Sequence, residues 1–177
     1  KTGTHSDDGG GGPLHVAVPV LRRIANFDDL DPLAAEHNVK LTLVRPGDVF
    51  PVDADLILIP GSKATISDMQ FMRDQGWDID IASHARRGGA VMGLCGGYQM
   101  LGRMIHDPHG IEGPAGSIAG LALLDVETVL DQTKTLEQVE AVSVRLGAPV
   151  RGYEIHMGKT TGADCVRPVV LVGDRHD

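Results

Sequence analysis

Aromatic residues are scarce in this chain: one Trp, two Tyr and three Phe in 177 residues. Trp77 and Tyr153 are too isolated to form a platform on which nucleic-acid bases stack. Positive charge is also short, with 16 Lys and Arg against 24 Asp and Glu for a net charge of -8. That balance argues against nucleic acid or an anionic membrane as the main partner. No apolar run approaches the roughly 20 residues of a membrane span, and no signal peptide is expected ahead of the first strand. Cys95 and Cys165 are too few for a disulfide framework. Counting alone leaves one pair open, but a reduced, cytoplasmic setting fits better. Internal repeats and coiled-coil heptads are absent.

What remains is the composition of a soluble globular domain, 42% hydrophobic and 23% charged. Residues 1–12, polar and ending in four glycines, read as a flexible interdomain linker. Residues 13–177 read as one domain, and both ends are expected to be cut from something longer. His15 to Val20 reads as a first strand with Pro19 near its end. Phe27 to His37 has helical spacing with Asn26 as N-cap. Strands follow at Val39 to Val44 and Asp55 to Ile59, the second unbroken enough to be buried on both faces. Helices near Ile66 to Gln75 and Ile79 to Arg87 precede a strand at Ala90 to Leu94. The predicted fold is therefore α/β, an open, mainly parallel sheet with helices on both faces. Beyond Leu121, segments Leu123–Leu130, Gln138–Leu146, Val150–Met157 and Val169–Val172 read as extra antiparallel strands added to one edge.

Chemistry concentrates at Gly93-Leu94-Cys95-Gly96-Gly97-Tyr98-Gln99. A cysteine between glycines, at a strand end and before the amphipathic segment Tyr98 to Met104, reads as a nucleophile elbow. The helix dipole is expected to lower the Cys95 thiol pKa. The plainer reading makes Cys95 a small buried hydrophobe. Pro60-Gly61-Ser62-Lys63-Ala64-Thr65 lacks P-loop spacing, because Ser62 separates Gly61 from Lys63. Backbone N–H groups of Gly61 or Ser62 and of Gly96 are instead candidates for an oxyanion hole; the alternative is an ordinary strand-to-helix turn. Both loops lie at strand carboxyl ends, where such sheets bind ligands. All eight histidines are candidate partners for Cys95, His84, His106, His109, His156 and His176 among them. His106-Asp107-Pro108-His109 reads as a surface loop after the elbow helix, with no metal-ligand set completed around it. His156 alternates with Glu154 on a strand, and either reaches the crevice or is structural.

The elbow is similar to the G-x-C-x-G-x-Q motif of class I glutamine amidotransferases. Asn26 to Leu33, Leu58 to Thr65, Cys95 to Gly102 and Gly152 to Gly158 together resemble the C-terminal glutaminase domain of the cobyric acid synthase family, with Gly120 to Thr128 and Lys134 to Leu136 fitting too. The resemblance covers about Val16 to Gly158 and implies a flavodoxin-like glutaminase with Cys95 as nucleophile, Gly61 and Gly96 at the oxyanion hole, and Gln99 contacting glutamine. It implies no cofactor in this domain; ATP and magnesium belong to a separate synthetase domain. Its partners would be glutamine and, through that domain, a corrinoid, adenosylcobyrinic acid a,c-diamide, whose carboxylates are amidated in cobalamin synthesis. The family's catalytic histidine lies in a Gly-Thr-Tyr-x-His-Gly sequence that these residues lack, so it is expected beyond Asp177 and the fragment alone should be weak or inactive. His156 belongs to a different motif, and the base role is not transferred to it. Competing readings are a glutaminase serving another acceptor, another cysteine hydrolase of this fold, or a docking domain without turnover.

Overall fold

Leu56–Ile59, strand β3, is unbroken in its apolar character because both of its faces are covered. Ile57 and Ile59 are fully buried towards one side, and Leu58 towards the other. The computed structural model describes residues 12–173, 175 and 176, so the linker assigned to residues 1–12 falls, Gly12 apart, outside the described residues. With β1 (Leu14–Pro19), β2 (Val39–Val44) and β4 (Ala90–Gly93), β3 forms a four-stranded sheet in the order β2-β1-β3-β4. All three pairings are parallel. Pro19 is the last residue of β1, as expected.

One face of this sheet is covered by helices α2 (Thr65–Asp74), α3 (Trp77–Arg86) and α4 (Gly96–Leu101). Met69, Met72, Trp77, Ile81 and Met100 pack there with Ala17, Ile57 and Ile59 in one buried cluster. Trp77 anchors it, meeting Phe50 and Phe71 edge-on at 6.1 and 5.7 Å between ring centroids. Its indole N–H donates to the Asp48 carbonyl at 2.8 Å, so the ring is buried without an unmet donor. The opposite face holds Val16, Val18 and Leu58, covered by Leu30 and Leu33. These come from a 3-10 turn, Phe27–Leu30, and a short helix, α1 (Asp31–Ala35). The single helix expected over Phe27 to His37 is thus two shorter pieces. Pro32, in the first turn of α1, has no N–H with which to continue a ladder begun upstream. Asn26 occupies the N-cap position without a side-chain capping bond.

The second half departs further from expectation. The elbow helix stops at Leu101, and Gly102 is extended. The chain then enters β5 (Met104–Asp107) and returns as β6 (Gly116–Ala119), two strands the sequence reading missed. His106 and Asp107 are therefore strand residues rather than part of a loop. β7 (Val126–Ser143), β8 (Pro149–Gly162), β9 (Val170–Val172) and β10 (Arg175–His176) follow. They do not extend the edge of the parallel sheet. They form a second sheet, in the order β10-β9-β7-β5-β6 with β8 also on β7. The pairings in it are antiparallel except β5 with β7. Strand β5 takes this course because Ile105 and Leu130 bury in the same cluster as Met100, on the helix-covered side of the first sheet. β7 fuses two expected strands through an irregularity between Val129 and Lys134, where the polar run Asp131 to Glu137 masks the continuity.

Trp77→Ala should lower unfolding free energy by about 3–5 kcal/mol, read from urea denaturation, because the cavity lies where three aromatic rings meet.

Candidate active site

The elbow is built by close backbone approach. Leu94 N–H continues the β3–β4 ladder by donating to Ile59 carbonyl at 3.0 Å, and the chain then turns sharply into α4. A Cβ on Gly97 would lie 2.2 Å from the Ile59 carbonyl oxygen, and one on Gly93 would lie 2.4 Å from the Gly97 backbone. Only glycine fits either position. Between them Cys95 adopts φ 48° and ψ -111°, a conformation that costs a non-glycine residue on the order of 1–3 kcal/mol. The cysteine stands exposed at the strand's carboxyl end, and both Cys95 and Cys165 are thiols.

Two further loops meet it. The chain after β1 pairs with the loop after β3 through an isolated antiparallel bridge, Ile24 with Ser62. Ala25 N–H donates to Gly61 carbonyl at 2.9 Å, and Lys63 N–H to Arg23 carbonyl at 2.8 Å. Asp68, fully buried on α2, fixes this arrangement by accepting from Ser62 Oγ at 2.6 Å and Arg23 N–H at 3.2 Å. A Cβ on Gly61 would sit 3.7 Å from Cys95 Cβ, and one on Gly96 would sit 3.0 Å from both Ser62 N and Thr65 Oγ1. Gly61, Cys95 and Gly96 are thus brought into one crevice, and the Gly96 N–H bonds the Cys95 sulfur.

Gln99 lies beneath, with its side-chain amide engaged by protein on both sides. Its Nε2 donates to Met157 carbonyl at 3.3 Å, tying the elbow helix to β8. Thr65 Oγ1 lies 3.5 Å from Gln99 Oε1 and 3.2 Å from Glu112 Oε1, one hydroxyl proton facing two acceptors. Glu112 also accepts the Thr65 N–H, at the start of α2. Sequence reasoning gave no role to Glu112 or Asp68, and it quoted Thr65 only as the end of the Pro60 to Thr65 loop. Glu112 lies in the glycine-bearing stretch Gly110 to Gly116, which local pattern alone does not tie to Cys95.

Electrostatics at Cys95 run opposite to the expectation. Its thiol pKa is pushed up: the surrounding walls desolvate the thiolate, and the carboxylates of Glu112 and Asp29 repel it. The Gly96 N–H works in the other direction without prevailing. Glu112 is itself pushed up, chiefly by desolvation, against hydrogen bonds from Thr65. The expected lowering does not appear: α4 has only six residues, and desolvation leads the causes that raise the thiol, with the Glu112 and Asp29 charges adding to it.

Three of the candidate histidines bond other groups. His156 bonds Glu154 at 2.9 Å and the Gly158 carbonyl at 3.1 Å. His84 bonds Ala90 carbonyl, and His106 lies against Ser117 and Glu127. His109 is exposed, and the His176 side chain lies outside the described residues. Among the described residues, no group of three or more His, Cys, Asp or Glu is disposed to hold a metal ion, and no helix is long and apolar enough to cross a membrane.

Two outcomes follow from this geometry. Gly97→Ala should destabilise the domain by about 1–3 kcal/mol and displace Cys95, seen as a lower thermal midpoint with altered thiol accessibility. Iodoacetamide labelling of Cys95 should reach half-maximal rate at a higher pH than an exposed model thiol. Glu112→Gln, by removing a repelling charge, should move that midpoint downward.

The sequence model of the CobB/CobQ-like glutamine amidotransferase domain matches residues 15–177. The cobyric acid synthase of Paracoccus denitrificans is 60% identical over 159 residues, covering 90% of this chain and 33% of that protein. That of Methylocella silvestris is 55% identical over 165 residues, covering 93% of this chain and 34% of that protein. The chain therefore spans about a third of the length of these relatives. Among solved structures, PurLQS from Thermotoga maritima superposes with a TM-score of 0.63 at 19% identity, over 94% of this chain and 77% of that one, which shows a shared fold. An elbow cysteine flanked by converging strand-end loops, on a chain matched by the family's model over nearly all its described length, makes this chain a member of the CobB/CobQ-like glutamine amidotransferase domain family.

Proposed function

We propose that this domain hydrolyses glutamine to supply ammonia, with Cys95 as nucleophile, for a cobyric acid synthase that amidates corrinoid carboxylates. The observation that carries the reading is Cys95, held in a strained elbow beside the Gly61 loop, in a chain 60% identical to a cobyric acid synthase across 90% of its length. The Cys95 thiolate attacks the side-chain amide carbon of glutamine, and the new C–S bond pushes charge onto the amide oxygen. N–H groups of Gly96 and of the Gly61 loop stabilise that oxyanion. The C–N bond breaks as the nitrogen takes a proton and leaves as ammonia. Water then attacks the glutamyl thioester, releasing glutamate and restoring the thiol.

We assign the proton transfers to a histidine other than His84, His106 and His156, each of which bonds another group. Gln99, buried with its amide facing Met157 and Thr65, holds the first turn of α4 against β8. No cofactor is needed for these steps. ATP and magnesium would serve the amide-forming reaction in another part of the intact protein, where the corrinoid binds.

In the intact natural protein, Cys95→Ser should abolish glutamine hydrolysis while leaving amidation driven by free ammonia intact. A glutamine-analogue electrophile should label Cys95 in the wild type. Glutaminase turnover persisting in Cys95→Ser would overturn the assignment.

A further inference from the structure

Arg23 and Lys63 are held side by side, both exposed, where the chain after β1 meets the loop after β3. Lys63 N–H donates to the Arg23 carbonyl, and Ile24 and Ser62 form the bridge beside them. Residues opposed in this way share a face and stand about 5 Å apart at Cβ, where like charges repel. Arg22 adds a third exposed cation, its guanidinium stacked 4.4 Å from the centre of the Phe71 ring. Stacking fixes that group while leaving its N–H edge open to a carboxylate. Buried Asp68 accepts only the backbone N–H of Arg23. Among the described residues, none of the three basic side chains is in an ion pair with an acid.

This patch is continuous with the crevice. Ala25 and Gly61 are the neighbours on the other side of the same bridge. A Cβ on Gly61 would fall 3.3 Å from Ala25 Cβ and 3.7 Å from Cys95 Cβ. Arg23 and Lys63 therefore stand on the face that meets Cys95, two residues further along each segment.

We propose that Arg22, Arg23 and Lys63 form the docking surface for a carboxylate-rich face of the amide-forming part of the intact protein. This rests on the glutaminase reading. The chain spans about a third of its relatives, so the site that uses the ammonia lies elsewhere in the intact protein and has to meet the crevice mouth. An acidic face supplies the anions these cations lack and relieves the repulsion between Arg23 and Lys63. Its carboxylates pair in bidentate fashion with the arginines, which fixes the register of the two parts. Docked there, it closes the side of the crevice from which ammonia would otherwise escape to water.

The test uses the intact natural protein and counts glutamate released per amide formed. The wild type should keep that ratio close to one. Arg23→Glu combined with Lys63→Glu should raise it roughly 3- to 10-fold, by setting like charge against the acidic face. Glutamine hydrolysis without ATP or acceptor, and amidation driven by free ammonia, should each stay within about twofold, as exposed side chains are being changed. Salt at about 0.5 M, which screens exposed charges, should raise the wild-type ratio and move the double variant little. Arg23→Gln combined with Lys63→Gln should give an intermediate ratio, and serves if the acidic variant does not fold. A ratio that stays close to one in both variants overturns the proposal. So does loss of glutamine hydrolysis without ATP, which would give these cations to the substrate's α-carboxylate instead. A wild type that releases no ammonia from glutamine overturns the glutaminase reading beneath it.

Discussion

The contact of Gly97 with the Ile59 carbonyl is the constraint on which the rest of the site depends. Backbone meets backbone there with no room for a side chain, so the carboxyl end of β3 and the start of α4 are held as one unit. Cys95 is placed in a costly backbone conformation because its neighbours on both sides leave no other path. Close packing then carries the constraint outward. Met100, on the buried side of α4, joins Ile57 and Ile59 from the first sheet and Ile105 and Leu130 from the second. Cys95 thus sits over the junction of two sheets that share one core.

A polar layer lies above that apolar junction. Asp68 pins Ser62 and Arg23, Thr65 faces both Gln99 and Glu112, and Gln99 reaches Met157 on β8. Each bond joins different elements, so the loop after β1, the loop after β3, the elbow and the second sheet are fixed relative to one another. One atom in this layer, Asp68 Oδ1, is buried without a hydrogen-bond partner. Leaving it so costs stability, which is tolerated here where the carboxylate's other oxygen organises the crevice.

The parallel sheet was legible because its signals are local. Leu56 to Ile59 can be apolar throughout only if covered on both faces, and glycines around a cysteine at a strand end have few other uses. The second sheet was not legible in its placement. Met104 to Asp107 continues the amphipathic pattern of the elbow helix, and the halt at Gly102 followed by pairing with β7 is a tertiary choice that no local pattern announces. The same holds for the thiol. A helix terminus can be read from sequence, but the desolvation that raises the thiol is set by tertiary packing, and the Glu112 and Asp29 charges that add to it lie 17 and 66 residues away by sequence number. Glu112 was invisible for that reason, its meaning arising only when Asp107 folds the loop back onto α2.

The raised thiol pKa bears on durability as well as on catalysis. Peroxides and alkylating agents react with the thiolate, and sulfinic and sulfonic products are not recovered by ordinary reduction. An exposed cysteine at the mouth of a crevice would be a steady target if it were ionised at rest. Desolvated and flanked by Glu112 and Asp29, the Cys95 thiol is biased towards its protonated form, which oxidants attack less readily.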